Sequence, residues 1–563
     1  MTRFVRLRWA IVLTLCAGFL GAAAPLPQRS TPPKLVVVIV VDQMRADYLQ
    51  RYSGGFTGGL RRLMREGAWF TNAAYPYLNT VTCAGHSTIG TGTFPYHHGM
   101  ILNSWLDRQT GKSPYCTDDP TVTELSYNGL QGVEGDSAKR LLVPALGEQI
   151  RDRGHGRAIA MSLKPRSSIS LVGHSADAVV WFDDRGGWST STAFTPGLVP
   201  FLQQFFAANP VSADYGKVWT RTLPASAYQG QDDDPAERPP AGTTRAFPHA
   251  LGVTGGKPDE GFYGRWQRSP FSDEYLGRMA AAAVDALKLG KGNGTDYLAV
   301  SFSALDIVGH VFGPRSHEVQ DLLLRLDLTI GRLLDHLDRQ VGAGKYVAAL
   351  SADHGVGDIP EQIQRGGRVP SKDVRDAVLG VLVPALGPGD HVVASAYTDI
   401  YLTPAALDRL RRDSQLTTSV LESLRRLPGI AHAFRGDELA GADARASSYP
   451  ARRAAALSYY PGRSGDLIIV PKENWLLSPN VATHGTHYPY DQRVPVILFG
   501  AGIRAGQYTQ PATPADIAPT LAAVARIVIA KTDGRVLTEA LVGEDGGGRE
   551  ALLFSSLGAI GPS

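Results

Sequence analysis

Lys34-Leu35-Val36-Val37-Val38-Ile39-Val40-Val41-Asp42 is an apolar run that ends on a carboxylate. A short β-branched run without polar alternation reads as a strand buried on both faces, as in parallel sheets. Two later stretches repeat the pattern. Tyr297 to Leu305 leads into Asp306, and Tyr346 to Ala352 leads into Asp353. In open α/β sheets, ligands bind just beyond the carboxyl ends of the strands. Asp42, Asp306 and Asp353 are therefore predicted to meet at one sheet edge.

Working outward, Arg157 to Leu163, Ala178 to Phe182, Asp466 to Val470 and Pro495 to Phe499 also read as strands. Ala138 to Arg153, Asp273 to Leu289 and Val319 to Val341 read as helices. In the last, Leu322, Leu323, Leu326, Ile330, Leu333, Leu334 and Leu337 recur at helical spacing, which marks a core-facing stripe. Strands alternating with helices predict an α/β fold with a mostly parallel central sheet. Two stretches break the rhythm. Gly186 to Arg268 is rich in Gly, Pro, Ala and aromatics, and within it Gln229 to Thr244 reads as an exposed loop. Val369 to Tyr460 reads as an α/β-like insert with a helix from Leu407 to Leu427. Such inserts are expected to cap the site and shape specificity. Gly543 to Glu550 reads as a surface turn.

The 563 residues are 43% hydrophobic and 19% charged, enough for a large core. The 56 basic and 53 acidic residues nearly balance, so no basic field points to nucleic acid. Arg3, Arg6 and Arg8, then apolar Ala10 to Leu20, then Ala22, Ala23 and Ala24 before Pro25, match an export signal over residues 1–24. The apolar stretch is short for a membrane anchor, and Leu15 before Cys16 does not suit a lipoprotein. The mature chain, residues 25–563, is expected to be periplasmic or secreted, without a stable membrane anchor, and the sequence does not fix its oligomeric state, a monomer being favoured. It would keep Cys83 and Cys116, which either pair in an oxidising compartment or leave Cys83 a buried thiol.

Five segments carry the chemistry. Asn79-Thr80-Val81-Thr82-Cys83-Ala84-Gly85-His86-Ser87 places small residues after Thr82, which suits a helix N-terminus that an anion can approach. A Thr hydroxyl there is either a helix cap or a nucleophile, and as a nucleophile it needs a cation to lower its pKa. Asp306-Ile307-Val308-Gly309-His310 spaces a carboxylate and an imidazole four apart, so both can face one ion. Asp353-His354 follows a strand, and Asp42 ends the first. His484 lies in Thr483-His484-Gly485-Thr486-His487, where His487 is the alternative ligand. Each histidine alone reads as a core or surface residue. Together, Asp42, Thr82, Asp306, His310, Asp353, His354 and His484 read as a two-metal site, because converging carboxylates and imidazoles repel or stay partly protonated unless a cation joins them.

These segments give the chain a resemblance to the alkaline phosphatase superfamily. The carrying motifs are V-D-Q-M-R around Asp42, T-C-A-G-H-S from Thr82, D-I-V-G-H from Asp306, S-A-D-H-G around Asp353 and T-H-G at His484. Within it, the chain most resembles exported phosphate-irrepressible alkaline phosphatases, near the nucleotide pyrophosphatase/phosphodiesterase branch. The resemblance implies a three-layer α/β/α sandwich with cap subdomains at 186–268 and 369–460. It also implies two zinc ions, one held by Asp42, Thr82, Asp353 and His354 and one by Asp306, His310 and His484. Asn103, Lys164 and Arg166 match residues that touch phosphate. The implied activity is hydrolysis of small phosphate monoesters through a phosphothreonine on Thr82. The competing expectations are a nucleotide pyrophosphatase/phosphodiesterase and a zinc- or phosphate-binding protein without turnover.

Overall fold

A computed structural model describes residues 31–129, 134–183, 185–253 and 255–543. The expected export signal and most of the expected turn at Gly543 to Glu550 lie outside them. Pro32 to Leu541 forms one compact unit. Its centre is an eleven-stranded sheet. In chain order these strands are β1 (Leu35–Val41), β2 (Ala68–Phe70), β3 (Asp118–Ser126), β4 (Glu134–Asp136), β5 (Ala158–Ser162), β6 (Ala178–Asp183), β7 (Gly187–Ser191), β8 (Asp296–Phe302), β9 (Tyr346–Ser351), β10 (Val496–Gly500) and β11 (Gly506–Tyr508). Their spatial order is β11-β2-β10-β9-β1-β8-β5-β6-β7-β3-β4.

The five central strands β9, β1, β8, β5 and β6 run parallel. Every residue of β1, β8 and β9 is buried, as a strand covered on both faces requires. Register sets the working edge: Val41 pairs with Phe302, Ser301 with Ser162, and Val40 with Ser351. The chain therefore leaves β1, β5, β8 and β9 at one level. β10 is antiparallel to β9, with Val496 opposite Ser351, so its entrance lies at that same level. Helices cover the sheet in two mutually packed sets, giving three layers. One set includes Gly59–Glu66, Pro270–Ala286, Ala304–Phe312 and His317–Leu337. The other includes Thr82–Thr91, Leu146–Gly154, Pro165–Val172 and Ile517–Ala525.

A smaller four-stranded antiparallel sheet is built from Val392–Ala396, Asp399–Leu402, Ile430–Arg435 and Leu467–Pro471. It has its own apolar cluster, including Val378, Leu382, Ile400, Leu410, Val420 and Leu424. The expected strand at 466–470 belongs here, beyond residue 460. The expected single helix Leu407 to Leu427 is two, Pro404–Arg412 and Ser414–Arg425. Asp413 breaks it by turning extended and capping the second helix through the Leu416 N–H. The expected helix Ala138 to Arg153 begins only at Leu146, since Pro144 disfavours helix at the residue before it and the Ala145 N–H is taken by the Glu148 side chain. The 186–268 stretch is less irregular than its composition suggests, holding β7 and the helices Pro200–Ala208 and Glu260–Gln267. No helix among the described residues is long and apolar enough to cross a membrane.

Candidate active site

Asp42 is the first residue past β1 and Asp353 the second past β9, as the apolar runs predict. Asp306 departs from its expectation. The run Tyr297 to Leu305 stops being a strand at Phe302, and a helix begins at Ala304. The Ser303 and Ala304 N–H groups at that helix start donate to the buried Asp273 carboxylate. Asp306 thus sits in the first helical turn, and His310, one turn on, brings Nε2 to 3.2 Å from Asp306 Oδ1. The four-residue spacing puts both side chains on one helix face.

Two groups of ligand atoms result. Asp42, Asp353 and His354 form one, and Asp306, His310 and His484 the other, with the atoms of each within 4.8 Å of one another. His354 and His484 stack, ring centroids 3.5 Å apart, joining the groups. Each imidazole has its Nδ1 against a backbone carbonyl: His354 on Gly355, His310 on Ala482, His484 on Thr80. A carbonyl only accepts, so Nδ1 carries a proton in each ring and Nε2 is the nitrogen turned to the group, where on losing its proton it could ligate an ion. His487 belongs to neither group, and its ring lies against Tyr488.

Charge in the site is unbalanced. Burial and the neighbouring Asp353 push the Asp42 carboxyl up to about 7. Burial alone would raise Asp306 and Asp353 too. Lys164 and His310 hold Asp306 well below the usual carboxylate range instead, and His354 and His86 do the same for Asp353. Burial disfavours charge on His354, yet Asp353 and Asp42 raise it to about 9. His484 is driven well below its usual value by burial and by the other two imidazoles. Asp42 Oδ1, Asp353 Oδ2 and His354 Nε2 are all buried and none makes a well-aligned hydrogen bond, although His354 Nε2 lies 3.2 Å from Asp353 Oδ2 and 3.5 Å from Asp42 Oδ1. Three such atoms in one group are the pattern a bound divalent cation would satisfy. The mixed carboxylate and imidazole donors fit zinc.

Thr82 opens the helix Thr82–Thr91. Val81 is its N-cap, and neither residue makes a side-chain capping bond, so the cap alternative for Thr82 does not describe it. The segment around it is tied to both groups. The Thr80 carbonyl holds His484. His86 Nδ1 lies 3.0 Å from the Thr82 carbonyl and 3.2 Å from Asp353 Oδ2, with Nε2 on Ser301 Oγ at 2.7 Å. Gly85 lets the helix touch the sheet edge: a Cβ there would lie 2.1 Å from the Asp353 carbonyl oxygen.

Cys83 and Cys116 are disulfide-bonded, which resolves the alternatives left open by their spacing. Between them the Cys83 N–H donates to Asn103 Oδ1 at 2.9 Å, and the Cys116 N–H donates to the Asn103 carbonyl at 2.9 Å. Fixing Oδ1 leaves the Asn103 amide NH2 as the outward donor. Lys164 Nζ lies 2.5 Å from both Asp42 Oδ2 and Asp306 Oδ2, bringing an ammonium between the two groups. Arg166 is the second residue of the helix Pro165–Val172, and its Nε is buried without a partner. The smaller sheet reaches the site through Tyr397, whose hydroxyl donates to the His484 carbonyl, and Thr398, whose hydroxyl donates to Asn79 Oδ1 at 2.9 Å.

The residue-by-residue sequence reading missed Gln43 and His86, although both lie inside the quoted motifs. Neither is a metal-ligand or nucleophile pattern alone. Gln43 carried one legible sign, its position directly after Asp42.

Residues 36–489 match the family model described as type I phosphodiesterase / nucleotide pyrophosphatase. Among curated proteins, the chain is 31% identical to alkaline phosphatase PafA of Elizabethkingia meningoseptica over 533 residues, covering 92% of this chain and 96% of that one. It is 32% identical to alkaline phosphatase PhoK of Sphingomonas sp. over 545 residues, covering 92% of each. The crystal structure of wild-type PafA superposes with a TM-score of 0.83 at 31% identity, over 91% of this chain and 100% of that one. Murine ectonucleotide pyrophosphatase/phosphodiesterase 5 shares the fold, with a TM-score of 0.52 at 12% identity over 89% of this chain and 97% of that one.

Proposed function

The chain belongs to the type I phosphodiesterase / nucleotide pyrophosphatase family within the alkaline phosphatase superfamily, and we propose that it is a two-zinc phosphomonoesterase with Thr82 as nucleophile. Phosphoric monoester hydrolysis is the activity named for the full-length relatives. The observation that carries the finer reading is the convergence of buried ligand atoms without well-aligned hydrogen bonds, Asp42 Oδ1, Asp353 Oδ2 and His354 Nε2, beside the helix that Thr82 opens.

Asp42, Thr82, Asp353 and His354 would hold one zinc ion, and Asp306, His310 and His484 the other. Bound there, the ions supply Lewis acidity and neutralise charge developing on the attacking and leaving oxygens. Thr82 Oγ loses its proton to solvent and attacks phosphorus in line, the bond to the ester oxygen breaks and that oxygen takes up a proton from solvent, and water then cleaves the phosphothreonine to release phosphate and restore the Thr82 hydroxyl. The Asn103 amide donates to a phosphoryl oxygen, with its other end fixed by the Cys83 N–H. Lys164 and Arg166 add positive charge for the remaining oxygens. A monoester carries more charge on these oxygens than a diester, so the donor set favours monoesters. A threonine, an asparagine, a lysine and an arginine are also the four residue types altered in a mutant form of PafA whose crystal structure matches this fold. Export, from the signal-like residues 1–24, belongs to the same reading. So does control of specificity by the stretches 186–268 and 369–460, the second of which touches the site at Tyr397 and Thr398.

Thr82→Ala should abolish turnover of an aryl phosphate monoester while zinc content by elemental analysis stays near two. Near-wild-type turnover in that variant would remove Thr82 from the mechanism. An aryl diester hydrolysed faster than the monoester would favour the phosphodiesterase alternative.

A further inference from the structure

Gln43 has a left-handed backbone, with φ +66°, a region that favours glycine. It is also buried, 1% exposed. A bulky residue held in this region persists where the surrounding structure over-determines it, and such residues concentrate at functional sites. The contacts of Gln43 supply the reason. Its backbone N–H donates to Asp353 Oδ1 at 3.1 Å, and its side-chain Nε2 donates to Asp306 Oδ1 at 2.6 Å. Asp353 belongs to one ligand group and Asp306 to the other. The helix that carries Asp306 and His310 is cut away to admit this side chain: a Cβ on Gly309 would lie 1.9 Å from Gln43 Oε1.

We propose that Gln43 is a positioning residue that couples the two metal groups, holding one aspartate through its main chain and the other through its side chain. It touches neither substrate nor reacting atoms. Its left-handed turn aims the N–H at Asp353, and its length lets the amide reach Asp306. Glycine or asparagine would accept the same backbone more readily, but neither reaches Asp306. The inference rests on the two-metal reading of the site.

The test is a stepwise zinc titration, by calorimetry and elemental analysis, of chelator-stripped full-length wild type, Gln43→Gly and Gln43→Asn. Wild type is expected to take up two ions. Both variants keep the backbone N–H to Asp353 and should keep one binding step. The step belonging to Asp306, His310 and His484 should weaken by about ten- to a hundredfold, as loss of a bond to a metal ligand does. A purely structural role would instead weaken both steps together, which overturns the proposal. Two zinc affinities equal to wild type in either variant also overturn it. Wild type that binds only one ion overturns the two-metal reading and the coupling with it.

Discussion

Removing the Cys83–Cys116 disulfide tests whether that bond aims Asn103, the residue proposed to donate to phosphate. The bond closes a loop over a separation of 33 residues. Loop-closure entropy for such a length is about 3.7 kcal/mol of stability at 25 °C. Both cysteines are fully buried, so Cys83→Ala/Cys116→Ala adds a small loss of packing. A shift of the urea midpoint equivalent to about 3–5 kcal/mol is expected. The activity effect has a separate origin. Asn103 is held at Oδ1 by the Cys83 N–H and at its carbonyl by the Cys116 N–H, so loosening both anchors misdirects its amide. Losing one charge-assisted hydrogen bond, about 1.5–3 kcal/mol, corresponds to roughly a 10- to 150-fold fall in kcat/KM for an aryl monoester. The effect should vanish in an Asn103→Ala background, because the two changes remove one interaction. Stability loss with unchanged kcat/KM would show a staple that aims nothing, and an additive loss in the Asn103→Ala background would refute the route through Asn103.

Lys164→Met should raise zinc affinity by about tenfold, because the ammonium competes for Asp42 Oδ2 and Asp306 Oδ2, and should lower kcat/KM for monoesters. A chelator-competition assay showing weaker zinc binding would contradict this. Asp327 accepts from the N–H groups of Thr57, Gly58, Leu60 and Arg61 at 2.7, 2.6, 2.7 and 3.2 Å, so Asp327→Ala should cost about 3–5 kcal/mol in urea unfolding. Burial, with help from Glu318, pushes the Glu237 carboxyl up to about 10. A folded pKa above the unfolded one means that Glu237 stabilises the fold at low pH and that this contribution is lost as pH rises towards 10. Glu237→Gln, which does not titrate, should therefore gain on wild type between about pH 5 and pH 8, by up to about 4 kcal/mol. Parallel stability profiles for the two proteins would rule out a raised pKa at that position.

The central strands were legible because burial on both faces demands continuous apolar runs, and Asp42 and Asp353 were legible because each follows such a run. The same rule misplaced Asp306, since the apolar pattern of β8 continues into the buried first turn of a helix and hydropathy does not register the change of backbone. The following glycine favours His484 over His487 in the sequence. In the structure they differ in the carbonyl of Thr80, which lies about four hundred residues away and fixes only His484. Spacing could not pair Cys83 with Cys116, because the pairing follows from the path of the chain around Asn103. Gln43 escaped notice for a related reason: an amide becomes informative only when its backbone angle and both acceptors are known.

The reversed direction of β10 has a consequence for the order of events during synthesis. Because that strand enters at the crowded edge, its contribution, His484, precedes it and comes late in the chain, whereas Asp42 comes near the start. A nascent chain that stops before His484 already contains β1, β8 and β9, yet it holds only two of the three members of the group Asp306, His310 and His484. On the two-metal proposal, a truncated product should be left metal-poor however well its early strands pair.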